Sequence, residues 1–138
     1  MTGLEAMHAI VAGDAPAAPI SELVGFDLID VGEGHASFEL NPAERHYNPL
    51  GTVHGGIAAT LLDSAMGCAV HTTLNDGEAY TTLELKVNYV RAITEQTGRI
   101  VATGTVIHRG GRVATAEARL TDADERLLAH GTSTCLIM

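Results

Sequence analysis

The sequence predicts an α+β domain in which a curved antiparallel sheet wraps around one long central helix. The first observation is the length of 138 residues with 46% hydrophobic residues, enough for one packed domain with little room for a second. The second is a single helical pattern, at residues 54–73, that is apolar around most of its circumference. The third is the order of the strand patterns, two before this helix and four after it. One sheet can bury such a helix by curling around it.

The N-terminal residues 1–19 are predicted to form a short helix and a linker. Thr2 and Glu5 have the spacing of a capping box, and Gly13 is suited to end the helix. The proline-containing stretch after Gly13 tethers this helix to the rest of the chain. We therefore expect residues 20–138 to form the main domain.

Two strands are predicted before the long helix. Residues 26–31 form the first strand pattern, and residues 36–40 alternate between apolar and polar side chains as the second. The glycine-containing stretch 32–34 between them predicts a turn. Residues 41–53 hold two prolines and two asparagines, which favours an ordered loop.

The long helix over residues 54–73 has apolar side chains at every fourth position: Ile57, Leu61, Ala65 and Ala69. At 1.5 Å per residue it is about 30 Å long, enough to cross a small domain. A helix that is apolar on nearly all sides is buried. Small residues along it suggest room beside it for an apolar ligand: Ala58, Ala59, Ala65 and Gly67.

Four strand patterns follow the helix, at residues 83–89, 99–108, 112–120 and 127–137. Short glycine-rich or acidic turns separate them. We therefore expect these four consecutive strands to form an antiparallel meander.

The charge balance limits the choice of partners. Acidic residues outnumber basic ones by 17 to 8, for a net charge of −9, which disfavours nucleic acid and anionic membranes as ligands. No signal peptide pattern or membrane-spanning segment is present, so we expect a soluble cytoplasmic protein. Cys68 and Cys135 have no metal-binding or disulfide spacing and are expected to be buried thiols. No metal site is predicted.

Asp63 is the only charged residue between Gly55 and Val70. Burying an unpaired carboxylate costs several kcal/mol, so Asp63 must pair, face a cleft or lie at an interface. Asp63 could lie at a solvent-exposed edge of the helix, or its side chain could bind a neighbouring loop. It could instead be a general base or nucleophile.

The sequence His54-Gly55-Gly56 opens the same helix. The first amides of a helix have no partners within the helix, and two glycines allow a ligand to approach them closely. A carbonyl oxygen bound there would be polarised, although the glycines could equally form a junction without a ligand. Asp63 follows Gly56 by seven residues, roughly 10 Å along the axis, too far for one helix to hold both groups at one site. An antiparallel copy of the helix from a second subunit could supply the other half.

Other polar residues are weaker candidates. Asn48 could orient a water or a substrate oxygen, or could be a turn residue before Pro49. Thr81 and Thr82 lie at the start of a predicted strand, and threonine is common in strands whether or not it has a functional role. Three arginines at strand ends or turns could contact phosphates or could simply be solvated: Arg91, Arg109 and Arg112.

The segment HYNPLGTVHGGIAATLLDSAMG resembles the hotdog-fold thioesterases, and within them the phenylacetic-acid-degradation (PaaI-type) acyl-CoA thioesterases. The resemblance covers residues 20–137. Its motif is Asn-Pro-x-Gly-x-x-His-Gly-Gly followed by an acid on the helix. The resemblance implies the hotdog fold and hydrolysis of an acyl- or aryl-CoA thioester to the free acid and CoA.

The resemblance also implies roles for single residues. Asp63 matches the carboxylate that activates a water or attacks the thioester. Gly55 matches the residue whose backbone N–H polarises the carbonyl. His54 matches the histidine that supports this site, and Asn48 matches the asparagine that helps to hold the water.

In this family a small hydroxyl residue near the acid can orient the water, and Thr82 or its neighbour Thr81 matches it. Sites lie between two subunits, with Gly55 from one and Asp63 from the other, and the dimers commonly pair into tetramers. The CoA phosphates lie near basic side chains, for which the candidate turn is Arg109, Gly110, Gly111 and Arg112. No cofactor is implied, because CoA is part of the substrate.

Two other functions remain open. A hotdog dehydratase or hydratase would act on acyl-carrier thioesters, but such sites pair a histidine with an acid, whereas here the histidine precedes Gly-Gly at the helix entry. A non-catalytic acyl-CoA-binding domain would keep the cleft without needing Asp63.

Overall fold

One six-stranded antiparallel sheet curves around a central helix in the computed structural model, which describes residues 1–138. The predicted α+β class and the sheet wrapped around one long helix are therefore confirmed. The helices are α1 (Gly3–Ala12), α2 (Pro19–Val24) and α3 (Gly55–His71). The strands are β1 (Phe26–Gly32), β2 (His35–Leu40), β3 (Tyr80–Tyr89), β4 (Ile100–Arg109), β5 (Val113–Thr121) and β6 (Leu127–Ile137).

The order of strands across the sheet is β1-β2-β4-β5-β6-β3. Strands β4, β5 and β6 form the expected meander, but the predicted meander of four strands is wrong because β3 pairs with β6 and not with β4. Residues 90–99 between β3 and β4 are too many for a tight hairpin turn. They cross the N-terminal end of α3, where the Val53 N–H donates to the Ile93 carbonyl at 2.8 Å. This crossing leaves β3 at the edge of the sheet.

Helix α3 packs directly on the concave face of the sheet. Its side chains Leu61, Leu62, Ala65 and Met66 are completely buried. Helix and sheet approach closely at Gly104 of β4, where a Cβ would overlap the Ala65 carbonyl. The absence of a side chain at Gly104 permits this packing, and Ala65 is completely buried, so no space is left there for a ligand.

The N-terminal helix begins as predicted. The Thr2 side chain accepts from the Glu5 N–H and Glu5 returns the bond, while Gly13 ends α1 in the left-handed conformation. The helix rests against the end of α3, where the Gly3 N–H donates to the Leu74 carbonyl at 3.0 Å.

Helix α2 was not predicted, because its six residues are too few to show a helical period. It begins with Pro19, and proline is favoured in the first turn of a helix. It ends at Gly25, which adopts the left-handed conformation that glycine favours after a helix. Nowhere in the structure does a helix combine the length and apolarity needed to cross a membrane.

Candidate active site

Asp63 and Thr82 meet beneath the sheet. The Thr82 hydroxyl on β3 donates to Asp63 Oδ1 at 3.0 Å, and both side chains are half-buried. No lysine, arginine or histidine pairs with Asp63, and its Oδ2 accepts no hydrogen bond within the chain. Thr81 points to the other face and is exposed. The site therefore presents a carboxylate that is oriented by one hydroxyl and has one oxygen free.

The N-terminus of α3 forms a second group of functional candidates. His54 is the N-cap, and its Nδ1 accepts from the Gly56 N–H at 2.8 Å. The Gly56 amide is therefore occupied, whereas the Gly55 N–H donates to no group in the chain. The Gly55 amide is thus the one available to polarise a carbonyl oxygen.

Tyr89, at the end of β3, fixes the helix terminus from outside. Its hydroxyl donates to the Gly55 carbonyl at 2.7 Å. The sequence gave no sign of this contact, because it joins two residues that are 34 positions apart. Tyr89 is a positioning residue that holds the peptide next to the free amide.

A cleft of about 210 Å³ adjoins this helix terminus. Gly55, Ala58 and Tyr89 line it together with the loop that follows β3. Arg91 is the only charged residue in the cleft and its side chain is exposed. The cleft therefore combines an available amide with one cation, a combination suited to a ligand that carries both a carbonyl group and an anionic group.

Asn48 closes its own loop. Its Oδ1 accepts from the N–H groups of Leu50 at 2.9 Å and Thr52 at 3.2 Å, and its Nδ2 donates to the Thr52 hydroxyl at 3.0 Å. These bonds correspond to the turn role that the sequence offered as an alternative. The second hydrogen on Asn48 Nδ2 makes no hydrogen bond within the chain, so it is available to bind a water.

The turn from Arg109 to Arg112 lies near the other end of β3. The Arg109 guanidinium is engaged by Glu78 at 2.6 Å and by the Gly110 carbonyl at 2.7 Å. Gly111 and Arg112 are exposed. Since β3 is about 33 Å long, the structure brings Arg91 to the amide of Gly55 and keeps this turn away from it.

A single chain does not bring Asp63 and Gly55 together. Eight residues of α3 separate them, which is about 12 Å along the helix. The outer edge of β3 is unpaired in the sheet, and Leu83 on this strand is 56% exposed. A long edge strand with an exposed apolar side chain is suited to pairing with another chain.

Two thiols lie near Asp63. Burial, together with the charge of Asp63, raises the pKa of Cys68 to about 12. Burial also raises the pKa of Cys135, whose Sγ lies 4.0 Å from the Thr82 hydroxyl. Both groups are neutral thiols at pH 7, so neither cysteine is an activated nucleophile. No three metal-ligating side chains converge anywhere in the structure.

We expect the Cys68 thiol to resist alkylation by iodoacetamide at pH 8 in the folded protein, because only its thiolate reacts. Mass spectrometry of the cysteine peptides measures the labelling, and the same protein unfolded in guanidinium is the control that must label fully. Rapid labelling of Cys68 in the folded state would contradict the neutral thiol.

Comparison with known proteins shows the family to which the chain is similar. A family model described as the thioesterase superfamily matches residues 50–129. The matched segment contains Thr82 and the whole of α3 with Asp63, and it begins just after Asn48. The chain is 29% identical over 109 residues to the 1,4-dihydroxy-2-naphthoyl-CoA hydrolase of Listeria monocytogenes, covering 79% of this chain and 87% of that protein.

Two further similarities support the match. Acyl-coenzyme A thioesterase 13 of Homo sapiens is 30% identical over 108 residues, which cover 78% of this chain and 76% of that protein. A crystal structure of a phenylacetic acid degradation-related protein from Ralstonia eutropha superposes with a TM-score of 0.84 at 26% identity, covering 94% of this chain and 98% of that one.

Proposed function

Because the chain belongs to the thioesterase superfamily, has the hotdog fold and is a thioester hydrolase, we propose that it hydrolyses acyl-CoA thioesters at sites shared between two copies. The observation that carries the proposal is the separation within one chain of a free carboxylate, Asp63, from a free helix amide, Gly55. The CoA moiety follows from the similar proteins from Listeria monocytogenes and Homo sapiens, whose names specify CoA thioesters.

Asp63 supplies the chemistry at the thioester carbon. With Thr82 holding Oδ1, the free Oδ2 takes a proton from a water whose oxygen attacks the carbonyl carbon. The carbon–sulfur bond then breaks, and the CoA thiolate takes up the proton as the free acid leaves. Direct attack by Oδ2 uses the same geometry: the carbon–sulfur bond breaks, the CoA thiolate leaves and an acyl-Asp63 anhydride forms. Water then hydrolyses the anhydride to the free acid and the Asp63 carboxylate, and the proton released from the water goes to the thiolate.

The second copy supplies the carbonyl site. When two β3 edges pair antiparallel, their α3 helices run antiparallel beside each other, and the Gly55 end of one approaches the middle of the other. The free Gly55 N–H and the positive end of the helix dipole then stabilise the oxyanion. Asn48 and Arg91 come from the copy that contributes Gly55, where Arg91 would meet a CoA phosphate. A dimer of this kind, itself paired into a tetramer, is the assembly we propose.

The substitution Gly55→Pro removes the N–H of this residue while keeping the start of the helix. Proline is favoured at the first position of a helix, and His54 has a ψ of 134°, which suits a residue before proline. We expect kcat/KM for acyl-CoA to fall about a hundredfold, the cost of losing one oxyanion donor. Gly55→Ala is the matched control, since it adds the same Cβ beside Tyr89 but keeps the N–H. Equal losses in both variants would remove the amide from the mechanism.

Mixed dimers test whether the site is shared. Asp63→Asn and Gly55→Pro homodimers are each expected to be nearly inactive. A refolded mixture of the two chains forms some dimers in which one site carries both changes and the other site carries neither, so activity is regained. If both groups act within one chain, every site in the mixture is defective and no activity returns.

A further inference from the structure

A second cavity, of about 320 Å³, lies between the N-terminal segment, the C-terminal half of α3 and the start of β3. The N-terminal segment forms its outer wall through Met7 and Ile10 of α1 and through residues 16–18. Cys68 of α3 and Tyr80 of β3 form its inner wall. Eight of its eleven lining residues are hydrophobic, so the cavity is suited to an apolar group.

The inner wall of the cavity adjoins the carboxylate on both elements that hold it. On β3, Tyr80 precedes Thr82 by two residues, so both side chains face α3 about 7 Å apart along the strand. On α3, Cys68 follows Asp63 by five residues, about 7.5 Å along the axis. The Tyr80 ring packs against Gly67 because glycine has no side chain there; a Cβ at Gly67 would lie 2.9 Å from the Tyr80 hydroxyl. Asp63 and Thr82 do not line the cavity themselves, but its wall begins about 7 Å from them, a distance that several carbon–carbon bonds of an acyl chain span.

The cavity holds no charge at neutral pH. Its only basic side chain is His71, and burial lowers the pKa of His71. Burial raises the pKa of both Cys68 and Tyr80, which keeps them protonated. No lining residue is an aspartate, glutamate, lysine or arginine. A ligand that carries a charge into this space would find no counter-ion.

Resting on the proposed function, we propose that this cavity receives the tail of an uncharged, apolar acyl group and that the N-terminal helix α1, through Ile10, limits its length. The volume corresponds to about ten water-sized heavy atoms at about 30 Å³ each. The first carbons of the acyl group lie outside the cavity and an extended chain does not fill all of its volume, so we expect acyl groups of about ten carbons in total to be the longest that fit. Helix α1 thereby acquires a function in substrate selection.

The test is the dependence of kcat/KM on acyl length, from acetyl-CoA to dodecanoyl-CoA, for the full-length protein. We expect the wild-type value to rise to about eight to ten carbons and then fall. Ile10→Ala removes three carbons from the outer wall and is expected to move the optimum to longer chains, with about a tenfold gain for dodecanoyl-CoA relative to hexanoyl-CoA. Cys68→Leu fills the inner wall and is expected to move the optimum to shorter chains.

Val11→Ala is the matched control, because Val11 lies on the same helix but is 40% exposed and does not line the cavity. Its length profile should equal that of the wild type. A second comparison uses octanoyl-CoA and octanedioyl-CoA, which have the same length but end in a methyl group and a carboxylate, respectively. Octanoyl-CoA is expected to be preferred at least about tenfold, because the carboxylate would be buried in the cavity without a partner.

The outcomes separate the two proposals. If the wild type hydrolyses acyl-CoA but Ile10→Ala and Cys68→Leu both keep its length profile, or if octanedioyl-CoA is preferred, the cavity assignment is overturned and the proposed function stands. If no acyl-CoA is hydrolysed, both are overturned. Should Ile10→Ala fail to fold, Cys68→Leu still decides, since its expected shift has the opposite direction.

Discussion

Asp63→Asn is expected to lower kcat for acyl-CoA hydrolysis by at least about a thousandfold while the fold and the oligomer persist. Loss of a general base costs about a hundredfold to ten-thousandfold, and loss of a nucleophile costs at least as much. Asparagine has nearly the same shape, and its carbonyl oxygen can still accept from the Thr82 hydroxyl, so the local hydrogen bond survives. The substitution therefore removes the basicity of the side chain and little else.

The matched control for this prediction is Asp14→Asn. Asp14 is exposed, makes no side-chain hydrogen bond or ion pair, and lies outside the site, so its change removes one charge from the surface only. Steady-state release of CoA measures the activity of both variants, and gel filtration and circular dichroism check the oligomer and the fold. Near-normal turnover by Asp63→Asn would show that another group performs the chemistry.

Hydrolysis in water labelled with ¹⁸O under single-turnover conditions separates the two roles of Asp63. If Asp63 activates a water, the label enters the product acid directly. If Asp63 attacks the thioester and water then opens the anhydride at the aspartyl carbon, the label first enters the Asp63 carboxylate, which mass spectrometry of the peptide detects. Label in the Asp63 carboxylate after one turnover therefore identifies direct attack by Asp63.

The sequence predicted the elements better than their arrangement. The period of α3 and the alternation in β4 to β6 are local patterns, and the structure matches them to within a few residues. The pairing of β3 with β6 could not be read in this way, because it depends on where residues 90–99 cross α3. Local patterns define a strand, whereas the path of a connection depends on the packing that it covers.

The candidate site shows the same division. Asp63 was conspicuous as a lone charge in an apolar helix, the His54-Gly55-Gly56 sequence at the helix start indicated Gly55, and the family resemblance offered Thr82 or Thr81 as the hydroxyl residue. The roles of Tyr89 and Tyr80 were missed, because each depends on contact with a distant glycine of α3. The expectation of free space beside the small residues was wrong at Gly67, where the Tyr80 ring fills the gap, as it was at Ala65.

Gly104→Ala is expected to destabilise the protein by about 3 kcal/mol, at the upper end of the cost of overpacking a core. A Cβ on Gly104 would overlap the Ala65 carbonyl and lie 2.8 Å from the Met66 nitrogen. These are backbone atoms in the middle of α3, so no rotamer change relieves the contact, and the whole helix must move from the sheet. At about 4 °C per kcal/mol for a chain of this size, the melting temperature should fall by about 12 °C.

Gly111→Ala is the matched control for the loss of a glycine. A Cβ at Gly111 meets nothing within 4 Å, and its backbone is not in the left-handed region, so alanine is expected to leave the melting temperature unchanged or slightly raised. Differential scanning calorimetry compares both variants with the wild type. Because α3 carries both the free amide and the carboxylate, any displacement of the helix in Gly104→Ala should also lower kcat in the folded fraction. A variant with native stability would show that helix and sheet are not in contact at Gly104, and the central packing of the fold would have to be revised.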